Sequence, residues 1–446
     1  MNDRSRQEQR PISAEPASAD RRKMLFGLGV AGGAVVTGFS PGVAFSAASD
    51  AAQPDQALEG RQPFYGLHQS GVTTARPPAG LVVAFDVLGA TRSDLQRLFR
   101  KLTERIEFLT QGGAAPEIDP KFPAPDSGLL GPVVTPGNLT MTVALGASLF
   151  DGRFGLASAK PTHLERMPQF PNDALEAESC HGDLLIQICS DTPDTNIHAL
   201  RDVIRNFPDL LAMRWKVEGF NAAPRAANLP PLTPRNLLGF KDGTANPDPD
   251  DNATMNRLVW VTPDSGEPAW AAGGSYQVVR IIRNFVERWD RTPLQEQQTI
   301  IGRDKMTGAP LSMAGERDVP DYAIDPKGER IRLDAHIRLA NPRTAQSQAN
   351  LILRRPYNYS RGVTKAGQLD MGLLFICFQA NLQNGFAAVQ GRLNGEPLEE
   401  YIKPVGGGYF FALPGVPAKG FYLGQQLIEA AGPLADPAHS TPRKSS

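Results

Sequence analysis

The sequence predicts an α+β protein made of two ferredoxin-like halves, each a β-α-β-β-α-β unit with an antiparallel sheet. Two observations carry this expectation. Segments with strand and helix patterning follow one another in that order between Leu81 and Glu218, and the same order returns between Tyr276 and Leu413. A length of 446 residues accommodates both copies and leaves room for long insertions.

In the first half, Leu81–Leu88 is a compact apolar run of the kind that fills a buried strand. From Ser93 onward Leu95, Leu98, Phe99, Leu102, Ile106 and Leu109 recur at helical spacing, so one helix face is continuously apolar. Residues 111–137, rich in Gly and Pro, read as a loop. Leu139, Met141, Val143 and Leu145 alternate with Thr140, Thr142 and Ala144, the pattern of a half-buried strand. Leu184, Ile186 and Ile188 mark another strand, Asp194–Asn206 a helix, and Leu211–Glu218 the last strand. In the second half Tyr276–Phe285 is strand-like and Thr292–Ile301 helix-like. Asn350–Arg354 and Leu373–Phe378 follow as strands, Phe386–Leu393 as a helix, and Tyr409–Leu413 closes the set. Residues 219–274 separate the halves and residues 303–347 interrupt the second; segments that long in compact domains are functional or disordered. The organisation expected is residues 1–50 as a signal and flexible N-terminus, 51–235 as the first half, 236–430 as the second, and 431–446 as a mobile tail.

Composition removes several classes. Lys plus Arg number 46 and Asp plus Glu 47, a net charge of -1 with no polyelectrolyte footprint, so nucleic acid is not an expected partner. Cys180, Cys189 and Cys377 are too few for a disulfide framework or a four-cysteine zinc site, and the last two lie in apolar runs as core thiols. No histidine pair has H-E-x-x-H spacing, and the chain lacks G-x-S-x-G, a Walker A loop and G-x-G-x-x-G. Hydrolase, kinase and nicotinamide readings therefore lack their motifs.

Near the N-terminus, Arg21-Arg22-Lys23-Met24-Leu25 precedes a weakly apolar, Gly/Ala-rich run from Phe26 to Ala48. A twin arginine in that setting reads as a Tat export signal, although Asp20 replaces the usual Ser or Thr and Met24 the common Phe. Small residues at Ala44, Ser46 and Ala48 offer cleavage sites, after which no stable membrane span is expected; uncleaved, the segment would be a single anchor. The mature chain would then work in the periplasm or another extracytoplasmic space. Tat carries folded proteins, often with a prosthetic group already inserted.

Three short segments could carry chemistry. The first is Gly239-Phe240-Lys241-Asp242-Gly243-Thr244-Ala245-Asn246-Pro247, a turn in which glycines let a carboxylate approach a ligand closely. The second runs from Ile331 to Arg343 and holds His336. If extended, it points Leu333, Ala335, Ile337 and Leu339 one way and Asp334, His336 and Arg338 the other. The third is Leu353-Arg354-Arg355-Pro356 at a strand end. Taken singly, each also has an ordinary structural reading: a turn, a hydrogen-bonded histidine, a solvated arginine pair.

Together they resemble the dye-decolourising haem peroxidases. Gly239–Pro247, His336 followed by Asn341-Pro342-Arg343, and Arg354 eighteen residues after the histidine carry the resemblance. Trp289-Asp290-Arg291-Thr292, Glu296-Gln297 and Ile301-Gly302-Arg303 are similar to one branch, the exported deferrochelatase/peroxidases of bacterial ferrous-iron uptake systems. The resemblance spans roughly residues 65–430 and implies two ferredoxin-like halves with haem b in the second. It implies that His336 is the proximal iron ligand, with Glu400 or Asp334 as the acid on its other ring nitrogen. Asp242 and Arg354 would be catalytic on the distal side, one moving a proton and the other stabilising charge as the O–O bond breaks. Leu373 and Phe375 would form an apolar wall; Gly243, Thr244, Ala245 and the turn Asn341-Pro342-Arg343 would line the haem, with Arg343 on a propionate. Some relatives carry a distal Asn two residues after the arginine, where this chain has Pro356.

The implied activity is reduction of hydrogen peroxide with oxidation of organic donors. Release of iron from haem with the porphyrin intact is implied beside it, haem then being a substrate. A non-catalytic haem carrier or chaperone is the alternative, and the chlorite-converting haem enzymes share the duplicated fold but lack G-x-x-D-G. Components of an iron-uptake system and a homo-oligomer, for instance a dimer, are the partners the resemblance implies. Trp215, Trp260, Trp270 and Trp289 read as core aromatics, with a relay of oxidising equivalents as the other reading.

Overall fold

A computed structural model describes residues 60–117, 119–222 and 232–432. The twin-arginine segment and residues 433–446 lie outside the described residues. Strand β1 (Ala79–Val87) leads into α1 (Arg92–Gln111). The apolar stripe read from the sequence is the buried face of α1, with Leu95, Leu98, Phe99 and Leu102 fully inaccessible. A capping box starts the helix: the Thr91 hydroxyl accepts from the Asp94 amide at 3.1 Å and the Asp94 carboxylate accepts from the Thr91 amide at 3.1 Å. A small ribbon, β2 (Gly113–Ala114) with β3 (Val133–Val134), occupies the loop beyond. Then follow β4 (Thr140–Gly146), β5 (Leu184–Ser190), α2 (Pro193–Asn206) and β6 (Leu211–Phe220). Thr192 caps α2, and Pro193 sits in its first turn, where the missing N–H costs nothing.

The insertion between the halves contributes α3 (Asn252–Leu258). The second half comprises β7 (Ser275–Asn284), α4 (Val286–Trp289), α5 (Leu294–Ile301), α6 (His336–Ala340), β8 (Leu353–Arg354), β9 (Tyr357–Val363), β10 (Leu369–Gln379), α7 (Ala388–Leu393), β11 (Ile402–Ala412) and α8 (Gln425–Ala430). The sheet order is β4-β5-β1-β6 in the first half and β9-β10-β7-β11 in the second, the same arrangement twice.

The expected pair of antiparallel sheets is one nine-stranded antiparallel sheet. β11 pairs with β4 through Phe410–Gly146, Phe411–Leu145 and Ala412–Ala144, and β6 meets β9 at Phe220–Asn358. Because β10 also pairs with β7, the sheet closes on itself. Alternation along each strand then makes two cores. Val82, Ala84, Leu185, Val279, Leu374, Ile376 and Phe410 pack inside the ring, whereas Leu81, Val83, Phe85, Ile186, Tyr276 and Phe411 pack outside with α1 and α2. The interior is tight enough to need glycine. A Cβ at Gly80 would lie 2.7 Å from Tyr357 Cε2, so the Tyr357 ring occupies that space instead.

Two expectations in the second half need correction. The strand expected at Asn350–Arg354 is an interrupted edge: Ser347–Asn350 is a 3-10 turn, β8 pairs with β10, Arg355-Pro356 breaks the run, and β9 continues on the same edge. Pro356 has no N–H to give a ladder, which explains the break. The stretch around His336 is not extended but turns into α6. Asp325 draws it back, accepting from the backbone of Glu329, Arg330 and Ile331 and from the Arg338 guanidinium at 3.1 Å. All four tryptophans are buried, and the indole N–H groups of Trp215, Trp270 and Trp289 each donate to a backbone carbonyl, as core residues do. Cys180, Cys189 and Cys377 are buried free thiols.

Candidate functional site

The site lies against the outer face of the second half. On β10, Leu373 and Phe375 are half-buried while Leu374 and Ile376, which alternate with them, are fully buried, so two apolar side chains are left partly open on the outer face. Their partners across the ladder on β7 are Ile282 and Arg280. Arg280 is anchored behind by Asp173, a fully buried ion pair, and lies over the Phe170 ring. Every residue from His336 to Arg343 is half-buried, so α6 and the turn after it are partly open to solvent.

His336 opens α6. Its Nδ1 is 2.7 Å from Glu396 Oε2, and Nε2 has no hydrogen-bond partner among the described residues. Glu396, 5% exposed, stands between α7 and a 3-10 turn at Pro397–Glu400. The acid on the histidine is therefore Glu396 and neither Glu400 nor Asp334. The Glu400 carbonyl accepts from Arg288, and Asp334 is held by Arg332 two residues away, on the surface. Burial alone would push the His336 imidazole down, but the Glu396 charge and hydrogen bond outweigh it and its pKa is raised. Arg354 works against that rise and Asp242 with it, so the charges of both are felt at the ring.

Asp242 is set by its turn. Gly239 and Gly243 have φ of 85° and 119°, conformations that favour glycine, and the Asp242 amide donates to the Pro234 carbonyl at 2.8 Å. Arg354 Nη1 donates to Asp242 Oδ1 at 2.6 Å. What joins the turn to the strand is Asn246. Its amide donates to the Arg354 carbonyl at 2.8 Å and accepts from the Arg354 amide at 2.9 Å, so the side chain serves as a further strand partner.

A second clamp comes from the insertion. Glu316 accepts from Lys241, from Thr233 and, at 2.9 Å, from Thr244, gripping the turn on both sides of Asp242. The Thr244 hydroxyl is thereby committed to Glu316, while Gly243 borders open space and Ala245 is exposed. Burial opposes the Glu316 charge, yet these hydrogen bonds hold its pKa down at about 2. Asn341 shapes the next turn by accepting from the Arg343 amide at 3.0 Å and the Ser347 hydroxyl at 3.1 Å. Arg343 adopts φ 58° there, and its buried Nε has no partner among the described residues.

The sequence reading missed Glu396, Glu316 and Asn246 as site residues. Asn246 was visible as part of the turn motif. The two glutamates carried no local signal, since each acts across 60 or more residues of chain. The structure joins Asp242 to Arg354 and puts His336 within reach of both charges, while Leu373, Phe375 and the Asn341–Arg343 turn are half-buried. Glu400 and Asp334 stay outside.

The fold and this site define a class. Profiles of the Dyp-type peroxidase N-terminal and C-terminal regions match residues 69–221 and 233–417, and the chain belongs to that family. Among its relatives are proteins named deferrochelatase: one from Escherichia coli (strain UTI89 / UPEC) is 58% identical over 409 residues, covering 92% of this chain and 96% of that one. Another, from Yersinia pseudotuberculosis serotype I, is 57% identical over 421 residues, covering 93% and 96%. Among solved structures, ferric DtpA from Streptomyces lividans matches with a TM-score of 0.74 at 36% identity, covering 85% of this chain and 100% of that one.

Glu316 gives a pH-dependent test. A carboxylate held below its ordinary 4.5 contributes stability that is complete above that value and lost as pH falls through about 2. Glu316→Gln is expected to lower the melting temperature at neutral pH, with the gap to the parent closing as the pH approaches 2. A gap that stays constant across this range would show that the charge of Glu316 contributes nothing.

Proposed function

We propose that the chain is an exported haem b peroxidase that reduces hydrogen peroxide and oxidises organic donors, and that it also releases iron from haem with the porphyrin intact. The observation that carries the peroxidase reading is a histidine oriented by a buried acid and within electrostatic reach of a carboxylate–arginine pair. The residues fit haem. Among the described residues Nε2 of His336 and a buried Arg343 nitrogen are without partners, and Leu373 and Phe375 are apolar and half-buried.

Haem, when bound, supplies redox-active iron for the two-electron reduction of peroxide. His336 would hold the iron through Nε2, with Glu396 fixing the tautomer by accepting from Nδ1 and making Nε2 a stronger donor. Arg343 would pair with a propionate, while Asn341 and Pro342 hold the turn that presents it. The Asp242 carboxylate takes the proton of one peroxide oxygen and delivers it to the other, which departs as water. Arg354, fixed by Asp242 and by Asn246, offsets the charge that develops on the departing oxygen. Leu373 and Phe375 keep bulk water from the reacting atoms. Gly243 and Ala245 contribute backbone to the lining. A carrier would need the His336 side alone and leaves the Asp242–Arg354 pair without a task.

The deferrochelatase relatives, matched over nearly their whole length, support iron release as the second activity. Together with the twin arginine they also support Tat export to the periplasm, with iron-uptake components as partners. The family resemblance supports a homo-oligomer.

Three measurements test this reading. Rapid mixing of haem-loaded protein with one equivalent of peroxide should change the visible spectrum fast in the parent and about 100-fold more slowly in Asp242→Ala or Arg354→Leu. A slow change unaffected by either substitution favours the carrier. Glu396→Gln should weaken haem retention by about 10- to 100-fold in transfer to apomyoglobin, and unchanged retention would deny the acid its role. Analysis of tetrapyrrole products should find metal-free porphyrin; its complete absence removes the iron-release activity.

A further inference from the structure

The Asp242–Arg354 pair forms part of the wall of a cleft of about 250 Å³ whose other residues the peroxidase chemistry above does not use. Its wall carries four arginines, Arg76, Arg317, Arg354 and Arg355, and among the described residues a single carboxylate, Asp242. That carboxylate is already bound to Arg354 at 2.6 Å. Arg76, Arg317 and Arg355 have no ion-pair partner among the described residues. Arg76 gives one N–H to the Pro356 carbonyl at 2.6 Å, and Arg355 one to the Thr74 carbonyl. Arg355 is 6% exposed, and its Nε and Nη2 donate to nothing among the described residues.

This charge arrangement is unfavourable as it stands. Burial lowers the Arg76 pKa, and the Arg355 and Arg354 charges press the same way against Tyr357 and Asp242. Four guanidiniums kept together at a partly buried wall with one carboxylate between them are stabilised when a further anion enters. The rest of the lining limits which anion. Val72, Leu232, Pro249 and Leu353 give the cleft an apolar side that an inorganic oxyanion would leave unused. A guanidinium fork matches a planar carboxylate in a bidentate way.

We infer that this cleft binds a small organic carboxylate, its charged end on Arg76 and Arg317 and its apolar body along Val72 and Leu232. A molecule held there touches the same wall as Asp242 and Arg354. The inference rests on the peroxidase reading only in making this the docking place of an organic donor.

The test is calorimetric titration of 4-hydroxybenzoate into the haem-loaded protein at low ionic strength, beside 4-hydroxybenzamide, which has similar shape and no charge. Saturable binding of the acid is expected, at least about tenfold tighter than the amide and weakened by salt. Arg317 is exposed, so Arg317→Gln should leave the fold and haem spectrum unchanged while weakening the acid about tenfold. Arg76→Leu should do the same, with its folding checked by the same spectrum. The inference fails if the acid does not bind, if acid and amide bind alike, or if both arginine variants bind the acid as the parent does. It also fails if binding shifts the haem spectrum and survives both substitutions, which puts the acid on iron, or if inorganic phosphate binds as tightly. The titration needs no turnover. Protein that binds the acid through Arg317 yet leaves peroxide untouched would keep the site and lose the peroxidase reading.

Discussion

Edge-to-edge pairing of the two halves is the constraint on which the molecule rests. Each half alone would be an open sheet with two exposed edges, a liability for stability and solubility. Joining β11 to β4 and β6 to β9 removes those edges and encloses one apolar core inside the ring. The join is unequal: β11 and β4 share three residue pairs and β6 and β9 only one. Arg76 and Asn221 reinforce the weaker side, both donating to the Pro356 carbonyl beside β9.

Closure also decides where chemistry can happen. With the middle of the ring filled by packed side chains, a ligand is left the outer face of the sheet and the open end of the ring, where Val72 and Leu353 line a cleft. In the first half α1 and α2 cover that face; in the second, α6 of the 303–347 insertion packs against α7, and Leu373 and Phe375 stay half-buried. Single long-range side chains then fix the site: Asn246 ties the Asp242 turn to β8, Glu316 grips that turn from the insertion, and Glu396 orients His336. Each is a polar group whose partners lie across the fold, so each couples local geometry to the global one. The Arg280–Asp173 pair plays a similar part beneath Phe375, since a buried pair that satisfies itself holds its strand in one position.

Much of this was legible in the chain. The α1 stripe, the alternation in β4 and the order of elements follow from periodicity, which reports burial of one face and so survives folding unchanged. The turn carrying Asp242 was legible because glycines at φ 85° and 119° are a local necessity. The segment around His336, whose facing was worked out for the case that it is extended, turns into α6 instead, because its alternating pattern is incidental. Asp325, which bends it, lies eleven residues upstream and is an ordinary loop acid by sequence. The same reason hid the histidine's acid: Glu396, Glu399 and Glu400 lie within one short segment, and only the approach of α7 to α6 selects Glu396.

By itself the sequence determined the duplicated β-α-β-β-α-β order, the residues able to act as ligand, base and cation, and a likeness to one haem peroxidase family. These depend on interactions within a few residues or on whole motifs. Tertiary structure alone decided that the halves close into one sheet, that Glu396 backs His336, that Asn246 and Glu316 hold Asp242, and that four arginines and a single carboxylate meet at one cleft. Those outcomes depend on which distant segments come together. A polar side chain's partner is set by packing of the elements that carry it, and no local pattern encodes that choice.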